Sequence, residues 1–316
     1  MSALRRVLVT GGCGYVGSRL VPRLLEAGYK VRVIDTGWFG DHLSRSKDLE
    51  VVIGDVRNMT LADVGDVDAI IHLANIANDP GVELNPTLSW EVNVLGTQHL
   101  MDLASRSSVG HVMYASSGSV YGVKDEDRVT ENLPLVPIST YNKTKMVAER
   151  VCASYSDVMS VHSIRPATVC GFSPRMRLDV SVNMLTMQAF LHRRLTVFGG
   201  LQTRPNIHID DLCDVYLHFL ANPNLPSGAY NAGFENMSIM TIAELVQKHR
   251  DCEILVSESN DPRSYRQDSS LLLSSGFRPT RTVEQSICEM LEKWDEGAIT
   301  DDELWYTVKR MKRLGL

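Results

Sequence analysis

The 316-residue sequence has no excess of basic residues, no long apolar run and no closely spaced cysteines. Its 32 Lys and Arg against 38 Asp and Glu give a net charge of −6. This balance argues against a general binder of nucleic acid or of anionic membranes, because both need basic patches. Since no stretch approaches a membrane span and the first strand begins almost at the first residue, we expect a soluble cytoplasmic protein.

The six cysteines are scattered, with no C-x-x-C pair and no histidine at ligand spacing. The sequence therefore predicts neither a zinc site nor a disulfide framework, and reduced thiols are the simplest interpretation. Composition is ordinary for a globular protein, at 44% hydrophobic and 22% charged residues. The length suits one large α/β domain or two interleaved ones, since no repeat or Pro/Ser linker divides the chain.

A glycine-rich turn separates the first predicted strand from the first predicted helix. Gly11, Gly14 and Gly17 form a G-x-x-G-x-x-G frame. The first glycine allows a tight turn, the second lets the backbone approach a pyrophosphate, and the third lets the helix pack against its strand. Free N–H groups at the helix N-terminus then face the phosphates. The frame predicts a dinucleotide site, although glycines also occur in plain turns.

The second predicted strand, 30–34, ends in Asp35, about 20 residues beyond the glycines. A carboxylate there hydrogen-bonds the adenosine ribose hydroxyls and repels a 2′-phosphate, so we expect NAD(H) rather than NADP(H). The alternative is a solvated strand end. After the third strand, Asp55 has two possible roles, accepting a hydrogen bond from the adenine amino group or capping the short helix near Thr60.

Tyr141 and Lys145 are four residues apart on a predicted helix from about 139 to 156. A phenol is a poor base at neutral pH, but an adjacent ammonium favours the phenolate and lowers its pKa. The same ammonium can reach the nicotinamide ribose. Such a pair is common on amphipathic surfaces, and it gains weight here because a serine turn, 116–119, follows the fifth predicted strand.

Taken in order, these motifs resemble those of an extended short-chain dehydrogenase/reductase in the nucleotide-sugar epimerase/dehydratase branch, over nearly the whole chain. The matching segments are 11–17, 54–57, 72–74, 93–97, 116–122, 141–145, 165–169 and the later arginines. The resemblance implies an α/β fold, a Rossmann-type doubly wound parallel sheet with a smaller, interleaved C-terminal substrate-binding lobe. Residues 1–165 would form the NAD-binding domain, with 201–222 returning to it, and 166–316 mainly the substrate lobe.

The family resemblance also implies roles for single residues. Tyr141 is the expected acid/base, Lys145 its tuning cation and Ser117 its hydrogen-bonding partner, with Ser119 a second hydroxyl in the same turn. The expected cofactor residues are Gly11, Gly14, Tyr15, Val16, Gly17, Asp35, Asp55, Val56, Leu73, Ala74, Tyr141, Lys145 and Pro166. The expected substrate residues are Asn75, Ser117, Ser119, Tyr141, Asn183, Val197, Phe198, Arg204 and Arg263.

The expected substrate is a nucleoside-diphosphate sugar, oxidised at C4 by NAD. Related dehydratases place Asp-Glu directly after the serine or threonine, and decarboxylating members have a Glu there, whereas this chain has Gly118 and Ser119. A 4-epimerase of an NDP-hexose is therefore favoured. The alternatives are a net 4-dehydrogenase or 4-ketoreductase, then a 4,6-dehydratase or a catalytically silent binding protein.

Two expectations concern surfaces. The resemblance implies a homodimer formed through the helices around 85–107 and 139–156. The last predicted helix, which carries Trp305, has either a partner-facing or an intramolecular role, since its amphipathic pattern fits both.

Overall fold

A parallel seven-stranded sheet forms the centre of the larger lobe in the computed structural model, which describes residues 6–258 and 264–316. The strands of the chain are β1 (Arg6–Thr10), β2 (Lys30–Asp35), β3 (Leu49–Ile53), β4 (Ala69–His72), β5 (His111–Ala115), β6 (Ser160–Pro166), β7 (Thr168–Cys170), β8 (Arg194–Phe198), β9 (Thr203–His208), β10 (Gly228–Ala232), β11 (Glu235–Ser238) and β12 (Glu253–Ser257). The strand order of the large sheet is β10-β6-β5-β4-β1-β2-β3.

Helices cover both faces of this sheet, as expected for strands that are apolar throughout. They are α1 (Tyr15–Glu26), α2 (Leu61–Val64), α3 (Asp79–Leu84), α4 (Pro86–Trp90), α5 (Gly96–Ser105), α6 (Thr140–Ala153), α7 (Ser181–His192), α8 (Ile209–Ala221), α9 (Ile239–His249), α10 (Ser270–Ser274), α11 (Val283–Asp295) and α12 (Thr307–Leu314). The doubly wound parallel sheet that the sequence predicts is confirmed. Strands β2 and β3 are added on one side of β1, and β4 and the later strands are added on its other side.

The smaller lobe contains the three-stranded sheet β11-β9-β7 and the pair β12-β8. The lobes are interleaved, since β10 leaves the smaller lobe to join the edge of the large sheet beside β6. In the stretch expected to return to the first domain, 201–222, β9 stays in the small sheet while α8 packs on α1.

The predicted long helix over 85–107 is interrupted. It consists of α4, a π-helical segment (Glu91–Leu95) and α5. The cause is Asn93, whose amide Oδ1 accepts from the Ile76 N–H at 2.7 Å and whose Nδ2 donates to the Ile76 carbonyl at 3.1 Å. The wider π-helical turn lets the buried Asn93 amide reach the backbone of Ile76 and hold that loop.

The C-terminal helix α12 packs on its own chain. The Leu178 N–H donates to the Trp305 carbonyl at 3.0 Å, and the Thr307 N–H donates to Asp179 at 3.1 Å. Arg310 reaches the loop after β2, where its Nε donates to the Trp38 carbonyl at 2.6 Å. Of the two roles expected for this helix, the structure shows the intramolecular one.

Three expected absences can be examined in the parts of the chain that the structure describes. All six cysteines are unpaired there, and five of them are buried. No group of three or more metal-ligating side chains occurs among residues 6–258 and 264–316. Within the same residues, none of the helices combines the length and apolar character that crossing a membrane requires.

The close packing of the glycine turn predicts an unusual mutant. Alanine normally favours a helix over glycine by about 1 kcal/mol. At Gly17, however, a Cβ would lie 2.5 Å from the Gly12 Cα and carbonyl oxygen. Gly17→Ala should therefore destabilise the protein by about 1–3 kcal/mol, as overpacking does. Chemical denaturation measures this change.

Gly110→Ala is the matched control, because no atom lies within 4 Å of a Cβ at Gly110. Its unfolding midpoint should stay near that of the wild type. Equal stability of Gly17→Ala and wild type would show that the turn relaxes without cost.

Candidate active site

A cavity of about 520 Å³ opens at the carboxyl ends of β1, β2, β4 and β5. Open α/β sheets bind ligands at this edge, where the strand order reverses. Every residue predicted to bind the cofactor lines the cavity. They are Gly11, Gly14, Tyr15, Val16, Gly17, Asp35, Asp55, Val56, Leu73, Ala74, Tyr141, Lys145 and Pro166.

Residues of the glycine turn form one wall of the cavity. Gly11 has φ +74°, and a Cβ there would lie 2.6 Å from the Ala74 nitrogen, so only glycine fits between β1 and the end of β4. Helix α1 then begins at Gly14 without any side-chain cap. Its first N–H groups and the positive end of its dipole are thus available to an anion. This arrangement fits the diphosphate of a dinucleotide.

The two predicted carboxylates differ in what they bind. Asp35 lies at the end of β2 and accepts hydrogen bonds from the N–H groups of Cys13 at 3.0 Å and Gly37 at 2.8 Å. Burial raises the pKa of Asp35, while these hydrogen bonds oppose the rise. Asp55 binds Arg57, which lowers the pKa of Asp55, and it caps the short turn at 56–58. Helix α2 is capped by Thr60 instead.

Tyr141 lies in the first turn of α6, whose N-cap is Ser139. Burial raises the pKa of Tyr141 to about 12. The positive charge of Arg177 and a hydrogen bond with Ser117 oppose this rise. Arg177, on the loop before α7, is therefore a cation that favours the phenolate of Tyr141.

Lys145 is directed to the backbone. Its Nζ donates to the Ala115 carbonyl at 2.6 Å and lies 5.0 Å from the centre of the Tyr114 ring. Burial lowers the pKa of Lys145 to about 7. An ammonium that titrates near neutral pH favours a neighbouring phenolate less than a permanently charged group does. A tuning role for Lys145 stays a prediction.

A chain of hydroxyl groups extends from Tyr141 into the protein. Ser117 Oγ lies 2.7 Å from Ser119 Oγ, which donates to Asn142 Oδ1 at 2.7 Å. Because the Asn142 oxygen only accepts, the Ser119 hydroxyl must accept from Ser117. Asn142 was missed from the sequence. Its position next to Tyr141 was the available signal, but a helical neighbour projects about 100° away and only the serine turn brings the two together.

The loop before α7 supplies two arginines that the sequence analysis gave no role. Arg175 and Arg177 both line the cavity. Arg177 Nε donates to Asp179 Oδ1 at 2.9 Å, and Asp179 in turn accepts from the Thr307 N–H. The signal was the Ser-Pro-Arg-Met-Arg-Leu-Asp segment itself, whose direction depends on packing across the two lobes.

The predicted substrate residues divide into three sets. Asn75, Ser117, Ser119 and Tyr141 line the main cavity. Phe198 and Arg204 line a second cavity of about 400 Å³. The two cavities are contiguous, because they share the wall residues Ser119, Thr168, Val180 and Tyr265. Phe198 is 54% exposed, which leaves its ring free to face a flat ligand.

Two further predictions do not reach a cavity. Asn183 is fully buried, with Oδ1 accepting from Gly171 at 3.1 Å and Nδ2 donating to the Tyr15 hydroxyl at 3.0 Å. Its amide is thus committed to holding Tyr15 and the loop. Val197 points into the core of the smaller lobe and has no exposed surface. Arg263 lies outside the described residues.

Known proteins are similar to this chain over most of its length. The family model described as "NAD dependent epimerase/dehydratase family" matches residues 7–233. UDP-glucuronic acid decarboxylase 1 of Xenopus tropicalis is 30% identical over 304 residues, which cover 90% of this chain and 70% of that protein. UDP-glucose 4-epimerase 4 of Oryza sativa subsp. japonica is 30% identical over 321 residues, covering 88% and 84%.

Solved structures give the same picture. MoeE5 in complex with UDP-glucuronic acid and NAD aligns with a TM-score of 0.83 at 26% identity, covering 93% of this chain and 100% of that one. The match extends over both lobes, so the smaller lobe belongs to the same fold as the nucleotide-binding one.

The lowered pKa of Lys145 predicts a pH-dependent stability. The cofactor-free folded protein loses the Lys145 proton near pH 7, whereas the unfolded chain keeps it to about 10.5. Between these values the unfolded state binds more protons, so this residue makes stability rise with pH, by at most about 1.4 kcal/mol per unit. Lys145→Met should lack that contribution. Urea denaturation at pH 7, 8 and 9 measures it as a growing difference from wild type.

Lys143→Met is the control, because Lys143 is exposed on the same helix. Its stability should follow that of the wild type at every pH. Parallel curves for wild type and Lys145→Met would mean that the Lys145 ammonium keeps its ordinary pKa.

Proposed function

Because this chain belongs to the NAD-dependent epimerase/dehydratase family, we propose that it epimerises the hexose of a nucleoside-diphosphate sugar at C4. NAD is the cofactor, and Gly11, Gly14 and Asp35 are among the cavity residues that would hold it. When bound, it would supply the acceptor and donor of the C4 hydride, which an epimerisation returns to the opposite face of the 4-keto sugar. The relatives include both 4-epimerases and decarboxylases, so the choice between reactions rests on the residues around Tyr141.

The observation that carries the proposal is the neutral hydroxyl chain beside Tyr141. Ser119 occupies a position where an eliminating or decarboxylating relative has an acid, and its hydroxyl is bound to Ser117 and Asn142. An acid at position 118 would also be tightly packed, since a Cβ there would lie 3.1 Å from Gln267 Oε1 and 3.2 Å from the Pro166 carbonyl oxygen. The serine turn therefore offers no group to remove a proton from C5.

The carboxylates that line the cavity near Tyr141 are already committed. Asp179 accepts from Arg177, Thr307 and Asn78, and its pKa is lowered although burial alone would raise it. Asp79 accepts from the Ser139 hydroxyl at 2.5 Å. A carboxylate whose pKa is lowered, as at Asp179, is a poor acid for expelling a hydroxyl group. Hydride transfer with proton transfer at C4 is the chemistry that remains.

Tyr141 is the proposed base for the C4 hydroxyl. Its pKa of about 12 in the cofactor-free protein has to fall before the phenolate can act at neutral pH. Arg177 already favours the phenolate, and the positive nicotinamide ring adds a second cation when NAD is bound. Ser117 hydrogen-bonds the reacting oxygen, and Lys145 holds the nicotinamide ribose.

The second cavity is the proposed site of the nucleotide. Phe198 offers a ring for stacking on the base, and Arg204 offers a cation for the diphosphate. Because Ser119 belongs to both cavities, a ligand extending through the two would carry its sugar to Tyr141. A homodimer is proposed on the family resemblance alone.

The fate of hydrogen distinguishes the candidate reactions. The protein is incubated in D₂O with UDP-, GDP- and dTDP-linked hexoses and hexuronates and with NAD, and NMR follows the sugars. Epimerisation at C4 should convert one sugar to its 4-epimer without placing deuterium on carbon, because the hydride leaves and returns. Deuterium at C5 or loss of the carboxylate would replace the proposal with elimination or decarboxylation. NADH accumulating in proportion to sugar would indicate net oxidation.

Tyr141→Phe tests the base directly. The substitution removes the hydroxyl and leaves the ring, so sugar and cofactor binding should persist while turnover falls by about 10²–10⁴-fold, the usual contribution of a general base. Tyr155→Phe is the control, because Tyr155 lies outside the cavity and bonds Gln98. A Tyr141→Phe protein with wild-type turnover would overturn the assignment.

A further inference from the structure

Arg175 is a buried cation whose guanidinium has no polar partner in the described part of the chain. The residue is 3% exposed and lines the main cavity. Its guanidinium makes no hydrogen bond or ion pair within residues 6–258 and 264–316, and its Nε is buried and unbonded. The guanidinium carbon lies 4.1 Å from the centre of the Phe39 ring.

Two other arginines of this region have carboxylate partners. The buried Arg165 donates to both carboxylate oxygens of Glu149, and Arg177 is paired with Asp179. Arg175 has no such carboxylate, so burial lowers its pKa to about 9, and the charge of Arg177 adds to the effect. Burying an unpaired charge is costly unless a counter-charge arrives. An anionic ligand is therefore the missing partner.

The backbone around Arg175 is fixed to the start of α1. The Arg175 N–H donates to Ser18 Oγ at 3.1 Å. Ser18 Oγ lies 2.8 Å from Ser173 Oγ, which donates to the Tyr15 carbonyl at 2.7 Å. The guanidinium thus rises from a loop that is attached to the first turn of the helix whose N-terminus faces the cavity.

The contacts of Arg175 give its place along the cavity. Its guanidinium lies on the Phe39 ring, in the loop after β2 at the expected adenosine ribose end, and its N–H donates to Ser18 in the first turn of α1. Two residues on, Arg177 lines the cavity together with Tyr141, at the expected nicotinamide end. Arg175 therefore lies beside the N-terminus of α1, where the glycine turn is expected to hold the diphosphate.

We propose that Arg175, held by Phe39 and by the loop on α1, binds the diphosphate of the dinucleotide together with the N-terminus of α1. The planar guanidinium suits two phosphate oxygens at once. A 2′-phosphate is the less suitable anion, because Asp35 lies near the guanidinium and repels a phosphate on the ribose. The inference requires the cofactor and is independent of the reaction at C4.

The test compares three ligands on cofactor-free protein by calorimetry: adenosine, ADP-ribose and 2′-phospho-ADP-ribose. Arg175→Met keeps an apolar stem against Phe39 and removes the charge. It should weaken ADP-ribose binding at least tenfold and leave adenosine binding unchanged. Arg175→Lys should recover part of the loss, because it restores the charge without the planar fork. Arg106→Met, at an exposed arginine outside the cavity, should change neither affinity.

Thermal melting separates ligand binding from a structural role. If a bound anion is what stabilises the Arg175 charge, the cofactor-free Arg175→Met protein should melt at or above the wild-type temperature. ADP-ribose should then raise the melting temperature of the variant less than that of the wild type. A lower melting temperature with unchanged ADP-ribose affinity would make Arg175 a structural residue and overturn the proposal. Equal losses for adenosine and ADP-ribose, or a loss confined to 2′-phospho-ADP-ribose, would overturn it as well.

Discussion

The attachment of the smaller lobe to the first turn of α1 is the constraint on which the site depends. The Tyr15 hydroxyl donates to the Gly171 carbonyl at 2.7 Å, and Asn183 Nδ2 donates to the same hydroxyl at 3.0 Å. Ser173 binds the Tyr15 carbonyl from the other side. One turn of helix thus lines the cavity and fixes the loop that carries Arg175 and Arg177. The wall of the cavity and the position of the smaller lobe consequently depend on the same residues.

Local patterns predicted the parts of this arrangement that depend on neighbours in sequence. The apolar strands, the glycine turn and the four-residue spacing of Tyr141 and Lys145 each require a single element, and the structure shows all of them. The direction of the Lys145 ammonium and the commitment of the Asn183 amide depend on partners 30 and 168 residues away. Periodicity carries no information about such partners, which is also why Asn142 and the two arginines were missed.

Three groups of the cavity have shifted pKa values in the cofactor-free protein. Burial raises the pKa of Tyr141 and lowers the pKa of Lys145 to about 7 and that of Arg175 to about 9. In the proposed function, the positive nicotinamide ring favours the Tyr141 phenolate and the diphosphate favours the charged form of Arg175. Charged groups that are already in position when the ligand arrives need no rearrangement to act on it.

Packing behind the serine turn restricts the reaction more strongly than a single missing acid does. Gln267 lies against Gly118, and its Nε2 donates to the Arg165 carbonyl at 2.7 Å and to Asn231 Oδ1 at 3.0 Å. A Cβ at position 118 would lie 3.1 Å from Gln267 Oε1 and 3.2 Å from the Pro166 carbonyl oxygen, so a larger residue there requires Gln267 to shift and strains the two hydrogen bonds that hold it. In the proposed function, Gly118 and the serines on either side of it act together, because none of the three supplies an acid for elimination and hydride and proton transfer at Tyr141 is the reaction left to the site.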